Sequence, residues 1–341
     1  MQKDELAYVL ITPYTIRKSR TGGVIARLLA RSKSDLVAAR MFSPGKKLIE
    51  EYTKAIKEAD YEGEDPLIRD LLIKYIRDNF SRNSETGNKN RVMFLLFKGK
   101  DAIREMKNNV VGHITRFTVS GETIRDTYGD LILDRNGKVK YLEPAVLVIP
   151  PSQRSAEKEL KIWQKYSDTD GGVLENIEEY PEGKKPEKTL VLIKPDNFDS
   201  PTIRVGNIID MFSKTGLYII GAKVIRMSIA QALEFYGPVK KVFETKFVDR
   251  VYNKADEALS SVLDFDIPEE IMQNLAKALT PHFAEHEFDK IIAFMSGSPS
   301  REVPEKDWDK PGTSKCLALI YEGMDAVNKI RNVLGSTDPT K

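Results

Sequence analysis

The chain has 341 residues, 41% of them hydrophobic, and is long enough for two domains that each bury a core. Its 53 basic and 51 acidic residues leave a formal net charge of +2, an even balance that does not favour nucleic acid or a membrane surface as a partner. The single cysteine, Cys316, excludes an intrachain disulfide and is typical of a reducing compartment.

The sequence offers no membrane or export signal. No stretch approaches the roughly 18 consecutive apolar residues of a transmembrane helix. The start, M-Q-K-D-E-L, lacks the apolar core of a signal peptide. We therefore expect a cytoplasmic protein with no membrane partner.

The first predicted strand is Leu6–Tyr14, L-A-Y-V-L-I-T-P-Y. A basic loop follows at Arg17–Arg20, which we expect to be a solvated turn rather than a nucleic-acid patch. Ile25, Leu28 and Leu29 then recur at helical spacing. Leu36–Met41 is predicted to be the second strand, and Val92–Gly99 the third.

The same order recurs in the second half of the chain. Thr189–Asp196, T-L-V-L-I-K-P-D, predicts a buried strand that stops at Pro195, because proline has no N–H to donate. This places the amine of Lys194 at the C-terminal end of the strand, where the chain turns toward solvent, a position suited to binding a polyphosphate. A helix with Ile208, Ile209, Met211 and Phe212 on its apolar side follows Gly206, and Leu217–Met227 is the next strand.

The third strands of the two halves also match. V-M-F-L-L-F-K-G and C-L-A-L-I-Y-E-G each end in glycine and lead into a similar helix, D-A-I-R-E-M and D-A-V-N-K-I. This internal duplication predicts two related α+β domains, each with a small, mostly antiparallel sheet.

Two further segments have their own composition. Residues 167–188 are rich in Asp, Glu, Gly and Pro and are predicted to be a linker. The second copy carries an insertion at about 237–285, where Asp266 is a candidate helix cap and Ile271, Leu275 and Leu279 would share one face. We expect this insertion to be an inert surface element.

The ordered set of motifs in the second half resembles the nucleoside diphosphate kinase family. The set comprises L-V-L-I-K-P-D, G-L-Y-I-I-G-A-K, F-Y, M-S-G-S-P and Y-E-G-x-D-A-V-x-K-I-R-x-x-L-G-S-T-D-P. In the first half, G-E-T-I-R-D-T-Y-G and S-A-E-K-E-L-K-I-W are similar to fragments of the same family.

The resemblance implies two ferredoxin-like (βαββαβ) domains with antiparallel sheets covered by helices. It places a divergent domain at residues 1–166, the linker at 167–188 and the second domain at 189–341. The second domain would lack its last strand and helix.

The activity that the resemblance implies is transfer of a γ-phosphoryl group from a nucleoside triphosphate to a nucleoside diphosphate through a phosphohistidine, with Mg²⁺. In this reaction a neutral imidazole nitrogen attacks phosphorus, while cationic side chains and Mg²⁺ stabilise the negative charge that is distributed over the transferring phosphoryl group. Family oligomers make a homo-oligomer an expectation, and a tandem chain could also imitate a dimer by itself.

Site residues carry over by position. The phosphate-binding lysine, helix arginine and threonine match Lys194, Arg331 and Thr337, and the tyrosine near the catalytic histidine matches Tyr236. Phe288 lies near the position of the base-stacking phenylalanine, although strict counting puts Glu287 there.

The first copy departs from the family pattern. Val148 occupies the place of the histidine and Thr12 that of the lysine, while the helix arginine falls on Lys107 or Asn108. Arg125 is the one phosphate-contacting residue that it keeps. Since valine cannot be a nucleophile, we expect this copy to be catalytically dead.

Neither copy presents its catalytic histidine in the sequence, so no catalytic residue is assigned. The sequence stops at Lys341, before the segment that would bring the second copy's histidine, and phosphoryl transfer is expected if the chain continues beyond it. The alternatives are a non-catalytic nucleotide-binding or scaffold member, or an unrelated ferredoxin-like pair that binds a small metabolite.

The histidines present are His113, His282 and His286. The last two are spaced i and i+4, which could form a metal pair, but two solvated surface histidines are the favoured interpretation and no metal site is assigned.

Overall fold

The computed structural model describes residues 4–59, 66–83, 86–112, 121–148, 150, 152–199 and 201–335. The strands are β1 Glu5–Ile11, β2 Asp35–Phe42, β3 Val92–Gly99, β4 Asp130–Leu133, β5 Val139–Glu143, β6 Val146–Leu147, β7 Glu187–Ile193, β8 Tyr218–Ile225 and β9 Cys316–Gly323. The helices are α1 Pro13–Arg17, α2 Thr21–Arg31, α3 Lys46–Glu58, α4 Pro66–Asn79, α5 Ala102–Arg104, α6 Ile124–Tyr128, α7 Gln153–Lys165, α8 Arg204–Ser213, α9 Ile229–Lys246, α10 Val248–Leu263, α11 Glu269–Ser296 and α12 Ala326–Leu334. A π-helix, Glu105–Val111, continues α5, and a 3₁₀ turn, Pro195–Phe198, follows β7.

The main sheet of the first copy has the strand order β2-β3-β1-β6. Each neighbouring pair is antiparallel, with Val9 opposite Leu95 and Leu10 opposite Leu147. Helix α2 connects β1 to β2 across the intervening β3, which is the crossover of a ferredoxin-like sheet. The predicted α+β, ferredoxin-like fold class is confirmed.

Both faces of this sheet are buried. Along β1, Ala7, Val9 and Ile11 belong to one apolar cluster, whereas Tyr8 and Leu10 belong to the cluster on the opposite face. Successive side chains of a strand point to opposite faces, so an uninterrupted apolar run is what a doubly covered strand requires.

The second copy contributes a sheet with the order β7-β9-β8, which repeats the order of the first three strands of copy one. β7 and β9 are antiparallel, with Glu187 opposite Gly323 and Ile193 opposite Leu317. In the part of the chain that the structure describes, no fourth strand joins this sheet.

Equivalent helices of the two copies, α2 and α8, cross at a pair of glycines. A Cβ built on Gly206 would lie 2.3 Å from the backbone nitrogen of Ala26 and 2.3 Å from the carbonyl oxygen of Gly22. One built on Gly22 would lie 2.5 Å from the backbone nitrogen of Asp210. The backbones of α2 and α8 are therefore in direct contact, with no space between them for a side chain. The two copies also share one apolar cluster.

The predicted linker packs against both copies. The Gly172 N–H donates to the Met41 carbonyl at 2.9 Å, and the Leu174 N–H donates to that of Ile220 at 2.9 Å. Leu174 and Ile177 are buried in the shared cluster. Contacts group the described residues up to Val224 with those from Leu317 onward in one compact unit. This grouping does not separate residues 1–166 from residues 189–341, so those domain boundaries stay a prediction.

The other compact unit, Ile225–Cys316, is helical and is built on α9, α10 and α11. Two details of the prediction for its α11 were wrong. Pro268, not Asp266, is the N-cap residue. The buried residues include Met272, Ala276, Thr280, Ala284 and Phe288, while Ile271 and Leu279 are exposed. Spacing alone did not show which apolar stripe of the helix would pack against neighbouring elements.

Among the described residues, no helix is both long enough and apolar enough to cross a bilayer.

Candidate functional site

Lys194 lies where β7 ends and the chain turns. Val191 and Ile193 anchor the strand in the core, whereas Lys194 is exposed and caps the 3₁₀ turn that begins at Pro195. Its backbone is extended, with φ −74° and ψ 163°. Among the described residues, no carboxylate forms an ion pair with the Lys194 ammonium, so this charge faces solvent.

The turn after Lys194 is held by local hydrogen bonds. The side-chain amide of Asn197 donates to the Lys194 carbonyl at 3.3 Å. Arg204, in the first turn of α8, donates from Nη1 to the Asp196 carbonyl at 3.3 Å. Arg204 was not predicted as part of this region, since only folding brings its guanidinium, eight residues along the chain from Asp196, back to the turn.

Arg331 lies in the last turn of α12 and is exposed. The N–H of Val327, in the first turn of α12, donates to Glu187 Oε2 at 3.2 Å, so α12 starts beside the first residue of β7. Lys194 directly follows β7 and Arg331 is on the helix whose start is bonded to β7, and Thr337 lies outside the described residues.

Tyr236 and Phe288 belong to the other compact unit. Tyr236, on α9, is partly buried, and burial followed by the neighbouring Cys316 raises its pKa. Phe288 is 6% exposed, with the ammonium of Lys240 5.9 Å from its ring centroid. A ring buried to this degree has no open face for a base, and Glu287 is paired with Lys290 at 2.7 Å.

In the first copy, the positions that correspond to Lys194 and to the family's histidine, Thr12 and Val148, are buried. Thr12 is fully buried, and its Oγ1 donates to the Pro144 carbonyl at 2.8 Å. Val148 is 3% exposed and belongs to the shared apolar cluster. Where the family places a lysine and a histidine, this copy has a hydroxyl bound to backbone and a buried aliphatic side chain.

Arg125 of the first copy is partly buried. Its Nη1 donates to the Gly112 carbonyl, and burial lowers the pKa of its guanidinium to about 9. Lys107 lies close by, and its pKa is lowered by burial and then by Arg125. The first copy thus keeps two neighbouring cations without a nucleophile at Val148.

His282 and His286 are exposed on α11, in the helical unit, and His113 lies outside the described residues. In the described ranges, no three His, Cys, Asp or Glu side chains converge as a metal site would require.

The family model of nucleoside diphosphate kinases matches residues 187–261, the segment that contains β7, Lys194 and α8. In this segment the chain is similar to the nucleoside diphosphate kinase family.

Curated relatives match the chain at low identity. The nucleoside diphosphate kinase of Haloquadratum walsbyi is 23% identical over 155 residues, which cover 46% of this chain and 60% of the relative. That of Wolinella succinogenes is 26% identical over 155 residues, covering 46% and 69%. The chain thus spans about 60% of the length of the Haloquadratum relative that it matches.

Among solved structures, a transition state mimic of the Borrelia burgdorferi nucleoside diphosphate kinase with bound vanadate and ADP aligns with a TM-score of 0.35 and 17% identity. The alignment covers 53% of this chain and 94% of that one. The Aquifex aeolicus nucleoside diphosphate kinase aligns with a TM-score of 0.33 and 17% identity, covering 47% and 94%.

Proposed function

We propose that the second copy binds a nucleoside di- or triphosphate at the end of β7, with Lys194 and Arg331 holding the phosphates. The observation that supports this proposal is a pair of exposed cations on two connected elements: Lys194 directly follows β7, and Arg331 is on α12, whose first turn is hydrogen-bonded to Glu187 of β7. An ammonium supplies a mobile point charge and a guanidinium supplies a planar fork of donors, a combination suited to a polyphosphate chain.

Mg²⁺ would enter with the nucleotide as part of the substrate. The described residues offer no three-ligand carboxylate or imidazole cluster, so the oxygen donors that this ion prefers would come chiefly from the phosphates and water. Its part in the chemistry is to neutralise charge on the bridging oxygens, while Lys194 and Arg331 orient the phosphate chain.

We further propose γ-phosphoryl transfer as the reaction of the second copy. A histidine nitrogen would attack the γ-phosphorus, the bond to the β,γ-bridging oxygen would break, and the nucleoside diphosphate would leave. An oxygen of the terminal phosphate of a second diphosphate would then take the phosphoryl group from nitrogen. The described residues support the binding part of this scheme, and transfer needs in addition an imidazole beside the bound γ-phosphate.

The second candidate function is nucleotide binding without chemistry, with the first copy as scaffold. It is favoured by buried Val148 and Thr12, which leave that copy no nucleophile and no exposed lysine at this position. An assay of phosphate transfer from ATP to GDP, followed through purification, separates the two functions. Turnover that co-purifies with the chain and disappears in Lys194→Ala favours transfer, and binding without turnover favours the scaffold. A cytoplasmic location stays a prediction in either case.

Replacing Lys194 by alanine is expected to weaken binding of Mg·ADP about tenfold to a hundredfold, since a charge-assisted hydrogen bond is worth roughly 1.5–3 kcal/mol. Isothermal titration calorimetry would measure the affinity. Lys223→Ala is the matched control, because Lys223 is an exposed lysine of β8 and the change in charge is the same. Equal affinities of the two variants would contradict the proposed site.

A further inference from the structure

A polar pocket lies where the first copy, the connecting segment and β8 meet. Its volume is about 180 Å³, and its wall includes Arg17, Lys89, Arg91, Glu178 and Tyr218. At about 30 Å³ per liquid water, this is room for a small ligand with part of its hydration shell. No residue of the proposed nucleotide site lines it.

Arg91 forms the inner wall of this pocket. Its guanidinium stacks over the Tyr218 ring at 5.0 Å, and Nη1 donates to the Ile219 carbonyl at 2.8 Å. Burial lowers the pKa of Arg91 to about 10; Tyr218, Glu178 and Tyr180 oppose this shift, and the Arg17 guanidinium adds a smaller lowering. The guanidinium groups of Arg17 and Arg91 therefore repel each other across the pocket, and that of Arg91 is largely shielded from water.

The positive charge of the wall exceeds its negative charge. Arg17, Lys89 and Arg91 face one carboxylate, Glu178, which accepts a hydrogen bond from Asn88 Nδ2 at 3.1 Å. The ammonium of Lys89 donates to a backbone carbonyl, that of Glu175, at 3.3 Å. Since positive charges held close together repel one another, an anion between these side chains would relieve the repulsion.

Arg17 is positioned by a neutral partner and stays available. Its Nη1 donates to Asn90 Oδ1 at 3.0 Å, and Asn90 is itself fixed by donating to the Asn79 carbonyl at 2.8 Å. Glu143 is a further carboxylate that interacts electrostatically with Arg17, but it does not line the pocket. A guanidinium has five donors, so the one bond to Asn90 leaves others for a ligand.

We propose that this pocket binds a small oxyanion of the inorganic phosphate class, held by Arg17, Lys89 and Arg91. Two guanidinium forks and an ammonium match the several oxygens and the double charge of hydrogen phosphate better than those of a monocarboxylate. Because the wall includes the connecting segment and β8, bound anion would tie the two copies together and raise thermal stability.

The test is a calorimetric titration of inorganic phosphate into the full chain carrying Lys194→Ala and Arg331→Ala, which silences the proposed nucleotide site. Saturable binding is expected, and adding Arg17→Gln with Lys89→Gln should weaken it by about tenfold or more. Lys18→Gln, which removes a neighbouring exposed lysine outside the pocket, should leave the affinity unchanged. Failure of Mg·ADP to bind the unaltered chain would count against the nucleotide site without touching this result.

Three outcomes would overturn the phosphate pocket. The first is absence of saturable binding in the silenced chain. The second is an affinity that Arg17→Gln with Lys89→Gln does not change. The third is equal displacement by chloride and by sulfate at one ionic strength, which would show screening rather than recognition of an oxyanion. If the double glutamine variant melts early, Arg17→Lys, which keeps the charge but loses the fork, should still bind more weakly than the unaltered pocket.

Discussion

Replacing Gly206 by alanine is expected to lower the free energy of unfolding by about 3 kcal/mol, the upper part of the range for overpacking. The added Cβ would meet the backbone of α2 at 2.3 Å, and a backbone cannot swing aside as a long side chain can. The helices would have to separate along their whole crossing, and the loss of contacts outweighs the gain of roughly 1 kcal/mol in helix propensity.

Chemical denaturation would measure this effect, with Asn207→Ala as the matched control. Asn207 is the next residue of α8 and is exposed, so alanine there should be neutral or slightly stabilising. Gly22→Ala should cost a similar amount, and the double variant less than the sum, because helices already separated have room for the second methyl group. Negligible losses of unfolding free energy in the single variants, or a loss in the double variant equal to their sum, would contradict a close contact between α2 and α8 at these glycines.

The stability of the first copy is expected to fall as the pH rises from about 4.5 to about 7. Glu159 of α7 is 1% exposed, and its carboxyl group accepts a hydrogen bond from Tyr8, whose hydroxyl lies 2.9 Å from that of Tyr52. Burial raises the pKa of Glu159 to about 7. Over this window the unfolded chain releases the proton first, so the folded state binds more protons and loses stability with increasing pH.

The loss is on the order of 3 kcal/mol, since each pKa unit corresponds to about 1.4 kcal/mol, and the curve should level off above pH 7. Glu159→Gln keeps an acceptor for Tyr8 and removes the titration, so unfolding free energies of this variant should lack the slope. Glu157→Gln, an exposed change on the same helix, should retain it. Parallel curves for the two variants would show that Glu159 titrates in the folded protein as it does in water.

Much of the strand framework could be predicted from the sequence. The bounds predicted for β3 and β9, Val92–Gly99 and Cys316–Gly323, coincide with those observed, because runs of apolar residues end at a glycine turn. The β4–β5 hairpin was not predicted, although its Asn136-Gly137 pair is a strong turn signal between two short strands. The regular helix predicted after β3 is instead a short α-helix followed by a π-helix.

Contacts between distant parts of the chain set the limit of prediction. Glu159 lies on the same face of α7 as Ala156 and Trp163, but nothing local indicates that a tyrosine 151 residues away will receive its carboxyl group. The glycines of α2 and α8 were visible, yet their mutual contact depends on the packing of the copies. At the candidate site, Lys194 and Arg331 stay predictions, whereas Phe288 is buried, because the helices of the insertion enclose it.

The most direct test of the account is the stoichiometry of Mg·ADP binding to the full chain, measured by calorimetric titration. We predict a single site per chain, lost when Lys194 and Arg331 are both replaced by alanine, because the equivalent region of the first copy is closed by buried Thr12 and Val148. Two equivalent sites, or a site that survives the double replacement, would contradict the assignment of nucleotide binding to the end of β7.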